Sequence, residues 1–211
     1  SEGPTDDELL PLYDREKLMS EMSLFDEWLL EKHFRMQLDD DDRALLTHTY
    51  GFLAESALEQ PKVFVHRDYH SRNLMVLEKG NPGVLDFQDA LVGPITYDVV
   101  SLLKDCYISW PREKVVAWVG DYFSRPAISK LITGISHQEL MRWFDLMGVQ
   151  RHLKASGIFA RLKRRDGKDG FLKDIPRTLY YILDVSSEYP ELEPLQEFIL
   201  QRISPSFFSA K

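Results

Sequence analysis

His66-Arg67-Asp68-Tyr69-His70-Ser71-Arg72-Asn73 is a polar run set between two short apolar ones, Val63-Phe64-Val65 before it and Leu74-Met75-Val76-Leu77 after it. Beyond the second apolar run, Lys79-Gly80-Asn81-Pro82-Gly83 is a dense turn signal, and Val84-Leu85 leads into Asp86-Phe87-Gln88-Asp89. Two β-type runs around a Gly/Pro turn read as a hairpin. The polar run therefore falls on a loop entering that hairpin. Folding the hairpin at 79–83 brings Asn73 and Asp86, thirteen residues apart, to its same end.

Outward from this element the periodicity changes to that of helices. On the N-terminal side Leu18, Met22, Phe25 and Leu29 recur at steps of four and three, and Leu46, Tyr50, Leu53 and Ala57 form a second stripe ended by Pro61. Asp39 to Asp42 precede that second stripe, and acidic residues there fit a helix N-terminus better than a cation site. Residues 1–12 read as a tail or linker. After Pro94 the pattern is helical, at roughly 95–108, 111–124, 136–165, 171–187 and 191–203, with a break expected near Gly148 or Gly157. Pro94, Pro111 and Pro176 stand at plausible helix starts. The expected fold class is α+β, mostly helical, with one small β element carrying the polar loop.

Composition narrows the classes. The 211 residues include 26 Lys plus Arg against 34 Asp plus Glu, a formal charge of −8, with 44% hydrophobic residues. That is enough apolar material for a packed core and argues against disorder. An acidic balance excludes generic binding to nucleic acid or anionic membranes, which needs a cationic surface. No apolar run approaches the ~20 residues of a membrane span, and no secretory leader is evident. The single Cys106 rules out an internal disulfide framework and fits a reducing compartment, with burial as its expected role. A soluble, cytoplasmic protein is expected.

The spacing of Asp68, Asn73 and Asp86 suits phosphoryl transfer. One carboxylate can orient an attacking hydroxyl and accept its proton, while an amide oxygen and a second carboxylate are the hard donors that Mg²⁺ prefers between phosphates. A lone Asp or Asn in a loop is ordinarily a turn or cap residue. Turn chemistry, however, does not call for several carboxylates and an amide around one hairpin.

His-x-Asp-x-x-x-x-Asn, a hydrophobic hairpin and Leu-Asp-Phe-x-Asp together resemble the aminoglycoside phosphotransferase/choline kinase family, relatives of the protein kinases. The wording His66 to Met75, Asp86-Phe87-Gln88-Asp89-Ala90-Leu91 with Gly93-Pro94, Gln150-Arg151-His152-Leu153-Lys154 and Gly157 to Leu162 is similar to the bacterial anomeric kinases of N-acetylmuramate and N-acetylglucosamine in cell-wall recycling. The resemblance spans about residues 10–205. It implies Asp68 as catalytic base, His66 as a structural member of the catalytic loop, Asn73 and Asp86 as metal ligands and Asp89 as a further metal residue. It also implies Asp98 as a brace of the loop from the following helix. Mg²⁺ would be the cofactor, and ATP and a small sugar the substrates.

Such kinases also carry a strand-rich lobe with a glycine-containing phosphate loop and a strand lysine. Only 65 residues precede His66, they read as two helices, and none of the 11 glycines forms a Gly-x-Gly pair. The chain is therefore expected to be the C-terminal lobe, residues 13–205, with the nucleotide lobe absent and turnover by this chain alone lost. The acceptor site is then expected on the helices after Asp86. Asp105 is a candidate for sugar hydroxyls, Arg151 for the lactyl carboxylate of N-acetylmuramate, His152 and Lys154 for further polar contacts from the same helix, and Trp110 for stacking on a sugar ring. Trp118 and Trp143 are expected in the core. Aminoglycosides and choline-like amines are alternative acceptors. Two other classes compete: a metal-dependent hydrolase using His66-x-Asp68-x-His70, and a non-catalytic binding module.

Overall fold

The computed structural model describes residues 10–203. In chain order the helices and strands are α1 (Arg15–Met22), a π-helical stretch (Phe25–His33), α2 (Asp40–Leu58), β1 (Lys62–Val65), β2 (Leu74–Met75), β3 (Gly83–Val84), β4 (Leu91–Pro94), α3 (Tyr97–Leu103), α4 (Arg112–Ser124), α5 (Pro126–Ser129), α6 (His137–Asp166), α7 (Ile175–Ser186), α8 (Glu193–Phe198) and a final π-helical turn (Ile199–Ile203). The fold is mostly helical α+β. The described residues divide into two compact units, one made of 10–14 and 56–147, the other of 15–55 and 148–203.

The first unit holds both small sheets. β1 pairs antiparallel with β4, Val65 opposite Leu91 and Lys62 opposite Pro94, and β2 pairs antiparallel with β3, Leu74 opposite Val84. The hairpin read from the sequence is thus β2–β3. The partner of β1 is a strand that the sequence reading assigned to no element. Pro94 accordingly ends β4, and the helix begins later, with Thr96 at its N-cap. Residues 10–12, expected as part of a tail, dock on this strand: the Val92 amide donates to the Pro11 carbonyl (3.0 Å), and the Tyr13 amide to the Val92 carbonyl (2.9 Å). The first nine residues of the expected tail lie outside the described part. Tyr13, Val65, Leu91, Tyr97, Val100 and Phe144 are among the buried side chains of this unit.

Beneath the sheet, Gln60 ties β1 to the start of α3. Its Oε1 accepts from the Thr96 hydroxyl at 2.6 Å and from the Thr96 amide at 3.3 Å. The helix expected over 95–108 stops at Leu103, because residues 104–107 turn away to satisfy other groups. There Lys104 and Asp145 form an ion pair at 2.7 Å with side chains only 5% and 3% exposed, flanked by Arg112 at 3.8 Å. Such a pair is costly to desolvate and more costly to break. Cys106 and Trp143 are buried, as the sequence suggested; Trp118 is 37% exposed and meets Trp110 edge to face at 5.3 Å.

In the second unit the apolar stripes Leu18/Met22/Phe25/Leu29 and Leu46/Tyr50/Leu53 are all buried. Asp39 and Asp42 cap α2 reciprocally: the Asp42 amide donates to Asp39 Oδ1 (2.9 Å) and the Asp39 amide to Asp42 Oδ2 (3.2 Å). This is the capping-box geometry of a helix start. The long helix α6 runs unbroken through Gly148 and Gly157. Gly157 serves a close approach instead of a break, since a Cβ there would lie 2.3 Å from the Leu24 carbonyl carbon and oxygen. Among the described residues no helix is long and apolar enough to cross a membrane.

Candidate functional site

The polar loop begins where β1 ends. Strand alternation turns Phe64 outward, 59% exposed, and Val65 inward, 1% exposed, so His66 enters the loop from an anchored residue. Asp98, in the first turn of α3, accepts the backbone amides of His66 (2.7 Å) and Arg67 (3.1 Å) on its two oxygens. Arg67 has φ +74°, a left-handed conformation that a residue with a Cβ holds only when its surroundings impose it. The two amide bonds from Asp98 are that imposition. The Arg67 guanidinium reaches across to the Asp89 carbonyl at 3.2 Å, linking the loop to the far end of the hairpin.

Asp68 follows. Its carbonyl accepts from the His70 amide (3.0 Å) and from Asn73 Nδ2 (3.0 Å). The chain then closes a 3₁₀ turn, Ser71–Asn73, and enters β2. The Leu85 amide donates to the Asn73 carbonyl at 3.0 Å, extending the β2–β3 pairing by one step. This register places Asn73 beside Asp86: Asn73 Nδ2 stands 3.4 Å from Asp86 Oδ2. Asp86 also adopts positive φ (+69°), and its other oxygen receives Gln88 Nε2 at 2.6 Å. Among the described residues of this unit, the two left-handed non-glycine positions, Arg67 and Asp86, lie in the two segments that build the site. Strain of this kind concentrates where geometry is functionally constrained.

The donor set can be judged for a divalent cation. Among the described residues neither Asp68 nor Asp86 has a cationic side chain as an ion-pair partner; the groups on the Asp86 oxygens are neutral amides. With Asn73 Nδ2 committed to the Asp68 carbonyl and Asp86, the amide's remaining ligating atom is Oδ1. An exposed carboxylate beside an amide oxygen, both hard donors, fits Mg²⁺ held partly by phosphate oxygens. Among the described residues no three or more His, Cys, Asp or Glu side chains converge into a metal-holding group. Asp68, Asp86 and Asp89 consequently do not form a three-carboxylate site, and His66-x-Asp68-x-His70 does not assemble a zinc-type cluster. His66 is instead buried, 4% exposed, with its ring edge-on to Tyr69.

The remaining expected residues are placed as follows. Asp105 is 1% exposed and accepts a backbone amide on each oxygen, Ser71 at 2.9 Å and Tyr107 at 2.8 Å. Arg151 and His152 belong to the other unit, where both are buried and the His152 ring stacks on Tyr181 at 4.6 Å. Burial of this order leaves neither side chain solvent-facing. Lys154, in the same unit, pairs with Glu21 at 3.0 Å.

Two residues near the loop were given no role by the sequence reading. Gln88 holds Asp86, and Tyr107 packs on the loop, its ring face 3.6 Å from the Arg72 guanidinium carbon and its ring 5.4 Å from that of His70. Gln88 stood in view inside the Asp-Phe-Gln-Asp run; Tyr107 carried no periodic signal. Beside the loop a cavity of about 810 Å³ is lined by Phe64, His66, Phe87, Asp98, Trp118 and Tyr122, among others. Burial raises the Tyr122 phenol above its usual range, and the Asp98 charge pushes it the same way.

Residues 2–133 match the family described as the phosphotransferase enzyme family. The chain is 48% identical over 195 residues to the N-acetylmuramate/N-acetylglucosamine kinase of Neisseria meningitidis serogroup B, covering 92% of this chain and 58% of that protein. It is 47% identical over 191 residues to the protein of the same name from Pseudomonas aeruginosa, covering 90% of this chain and 56% of that protein. For the Pseudomonas putida protein, again of that name, the identity is 46% over 192 residues. The chain therefore spans a little more than half the length of these curated relatives. A match over more than half of its residues, together with these relatives, establishes that the chain belongs to the phosphotransferase enzyme family.

Proposed function

We propose that this chain is the catalytic-loop lobe of an ATP-dependent sugar kinase that phosphorylates the anomeric hydroxyl of N-acetylmuramate or N-acetylglucosamine. The observation that carries the reading is the association of Asp68, Asn73 and Asp86 on one braced loop and hairpin. Identity of 46–48% to proteins named as kinases of those two sugars supports the acceptor class.

In this reading the Asp68 carboxylate accepts a hydrogen bond from the acceptor hydroxyl and takes its proton as the oxygen attacks the γ-phosphorus. The bond from that phosphorus to the β–γ bridging oxygen breaks, and ADP leaves with the electron pair. Bound at Asn73 and Asp86, Mg²⁺ would neutralise charge on the phosphate oxygens. Asp98 fixes the backbone of the loop, so the carboxylate meets its target without reorganisation. Arg67 ties the loop to the hairpin, so the base and the metal residues keep one relative placement.

The chain lacks Gly-x-Gly, and the curated relatives extend over a further two-fifths of their length. Both facts support placing the nucleotide-clamping groups in a part of the longer protein outside this chain. Catalysis of phosphoryl transfer is almost entirely positioning and charge stabilisation. The 211 residues alone are then expected to bind MgATP weakly and to turn over negligibly.

A screen of ATP consumption by the longer protein tests the reading against N-acetylmuramate, N-acetylglucosamine, choline and an aminoglycoside. Activity confined to the two amino sugars supports it. Activity on choline or the aminoglycoside alone replaces the acceptor class, and normal turnover by the 211-residue chain alone refutes the lobe assignment.

A further inference from the structure

We infer that Asp105 is a positioning residue of the catalytic loop, acting together with Tyr107 to fix the segment that follows Asp68. This rests on the phosphotransferase reading of Asp68 given above.

The argument starts from α3. Asp98 sits in the first turn of that seven-residue helix and Asp105 lies two residues beyond its last residue. Asp98 takes the amides of His66 and Arg67, and Asp105 takes the amide of Ser71 at 2.9 Å. The catalytic loop is therefore held on both sides of Asp68 by carboxylates at the two ends of one helix. A helix of this length spans about 10 Å and does not stretch, so it acts as a spacer between the two clamps.

Asp105 is well placed for this role. It is 1% exposed, and its second oxygen is occupied by the Tyr107 amide at 2.8 Å, which aims the first at Ser71. Tyr107 in turn covers the residues on either side of Ser71, with its face to the Arg72 guanidinium and its ring against that of His70. The Lys104–Asp145 pair, immediately before Asp105, anchors this turn in the buried part of the unit. Hydrogen bonds from amides to a charged, buried carboxylate are among the stronger ones. Removing the carboxylate frees Ser71 and, through it, the placement of Asp68.

Two measurements test this. In the 211-residue chain, amide hydrogen exchange compares wild type with Asp105→Asn and Asp105→Ala. Exchange at Ser71 and Tyr107 is expected to rise at least about tenfold in Asp105→Ala, the loss of one charge-assisted bond, and less in Asp105→Asn, which keeps one acceptor oxygen. In the longer kinase, Asp105→Asn is expected to lower kcat about 100-fold while the sugar KM stays within about threefold, the signature of a misplaced catalytic group.

Unchanged exchange at Ser71 overturns the proposal. So does a large rise in sugar KM with kcat intact, because that pattern belongs to a sugar contact. If the wild-type longer protein phosphorylates no sugar, the functional reading fails. The exchange measurement then still decides whether Asp105 holds the loop.

Discussion

Asp98 accepts the His66 amide at 2.7 Å across a separation of 32 residues, with its second oxygen on the neighbouring Arg67 amide. A single carboxylate thus sets the backbone of the residue two before Asp68 and holds the left-handed turn at Arg67. Replacement by alanine leaves two amides without their acceptor. Asp98→Ala should destabilise the chain by about 1–3 kcal/mol per unsatisfied amide. Denaturant unfolding of the 211-residue chain measures the loss, which should exceed that of Asp98→Asn.

The buried Lys104–Asp145 pair makes a second case. Asp145→Ala strands an ammonium that is 5% exposed and should cost about 3–5 kcal/mol. Lys104→Met with Asp145→Leu removes both charges and should recover much of that loss. A double variant no more stable than the single one would contradict an uncompensated charge as the source of the loss.

Two of the helical glycines, Gly157 and Gly120, predict opposite signs. At Gly157 an added Cβ would meet the Leu24 backbone at 2.3 Å, so Gly157→Ala forces backbone apart and should cost about 3 kcal/mol or more. At Gly120, within α4, nothing lies within 4 Å of the added carbon. Gly120→Ala should stabilise by about 0.5–1 kcal/mol through helix propensity. Thermal melts of both variants read the contrast directly.

How far the sequence foretold this arrangement depends on the range of the interactions. Asn73 and Asp86 were legible because a hairpin of known turn position fixes which residues come opposite. The stripes through Leu18 and Leu46 were legible because helix periodicity is local. Strand β4 escaped because Leu91-Val92-Gly93-Pro94 contains two residues that weaken a strand and pairs with β1 more than 25 positions away. Gly157 read as a break because only the packing against Leu24 shows why a glycine is needed in a continuous helix. Asp105 stands out in the sequence as a polar residue on an apolar helix and reads as a sugar contact; its bonds to Ser71 and Tyr107 are tertiary and no spacing reveals them.

Asp26 gives the pH dependence a sign. Its carboxyl is raised from the usual value chiefly by burial, partly offset by the hydrogen bond donated by the Tyr50 hydroxyl at 3.0 Å. A carboxyl with a raised folded-state value favours its protonated form in the fold. It therefore disfavours the fold increasingly as pH rises through the acid range, from its unfolded value near 3.8 upward. Asp26→Asn keeps an oxygen for Tyr50 and removes that cost. Its melting temperature relative to wild type should rise from pH 4 to pH 7; a gap that narrows instead would contradict the assignment.

The proposed function makes Asp68 the base of a sugar phosphotransfer, with Asn73 and Asp86 beside it. It is tested by ADP release from the longer protein with N-acetylmuramate and Mg²⁺, comparing wild type with Asp68→Asn. General-base catalysis contributes about 10²–10⁴ in rate, so the substitution should cut kcat by that factor with the sugar KM little changed. An Asp68→Asn protein that releases ADP at the wild-type rate in the presence of the sugar would contradict the account.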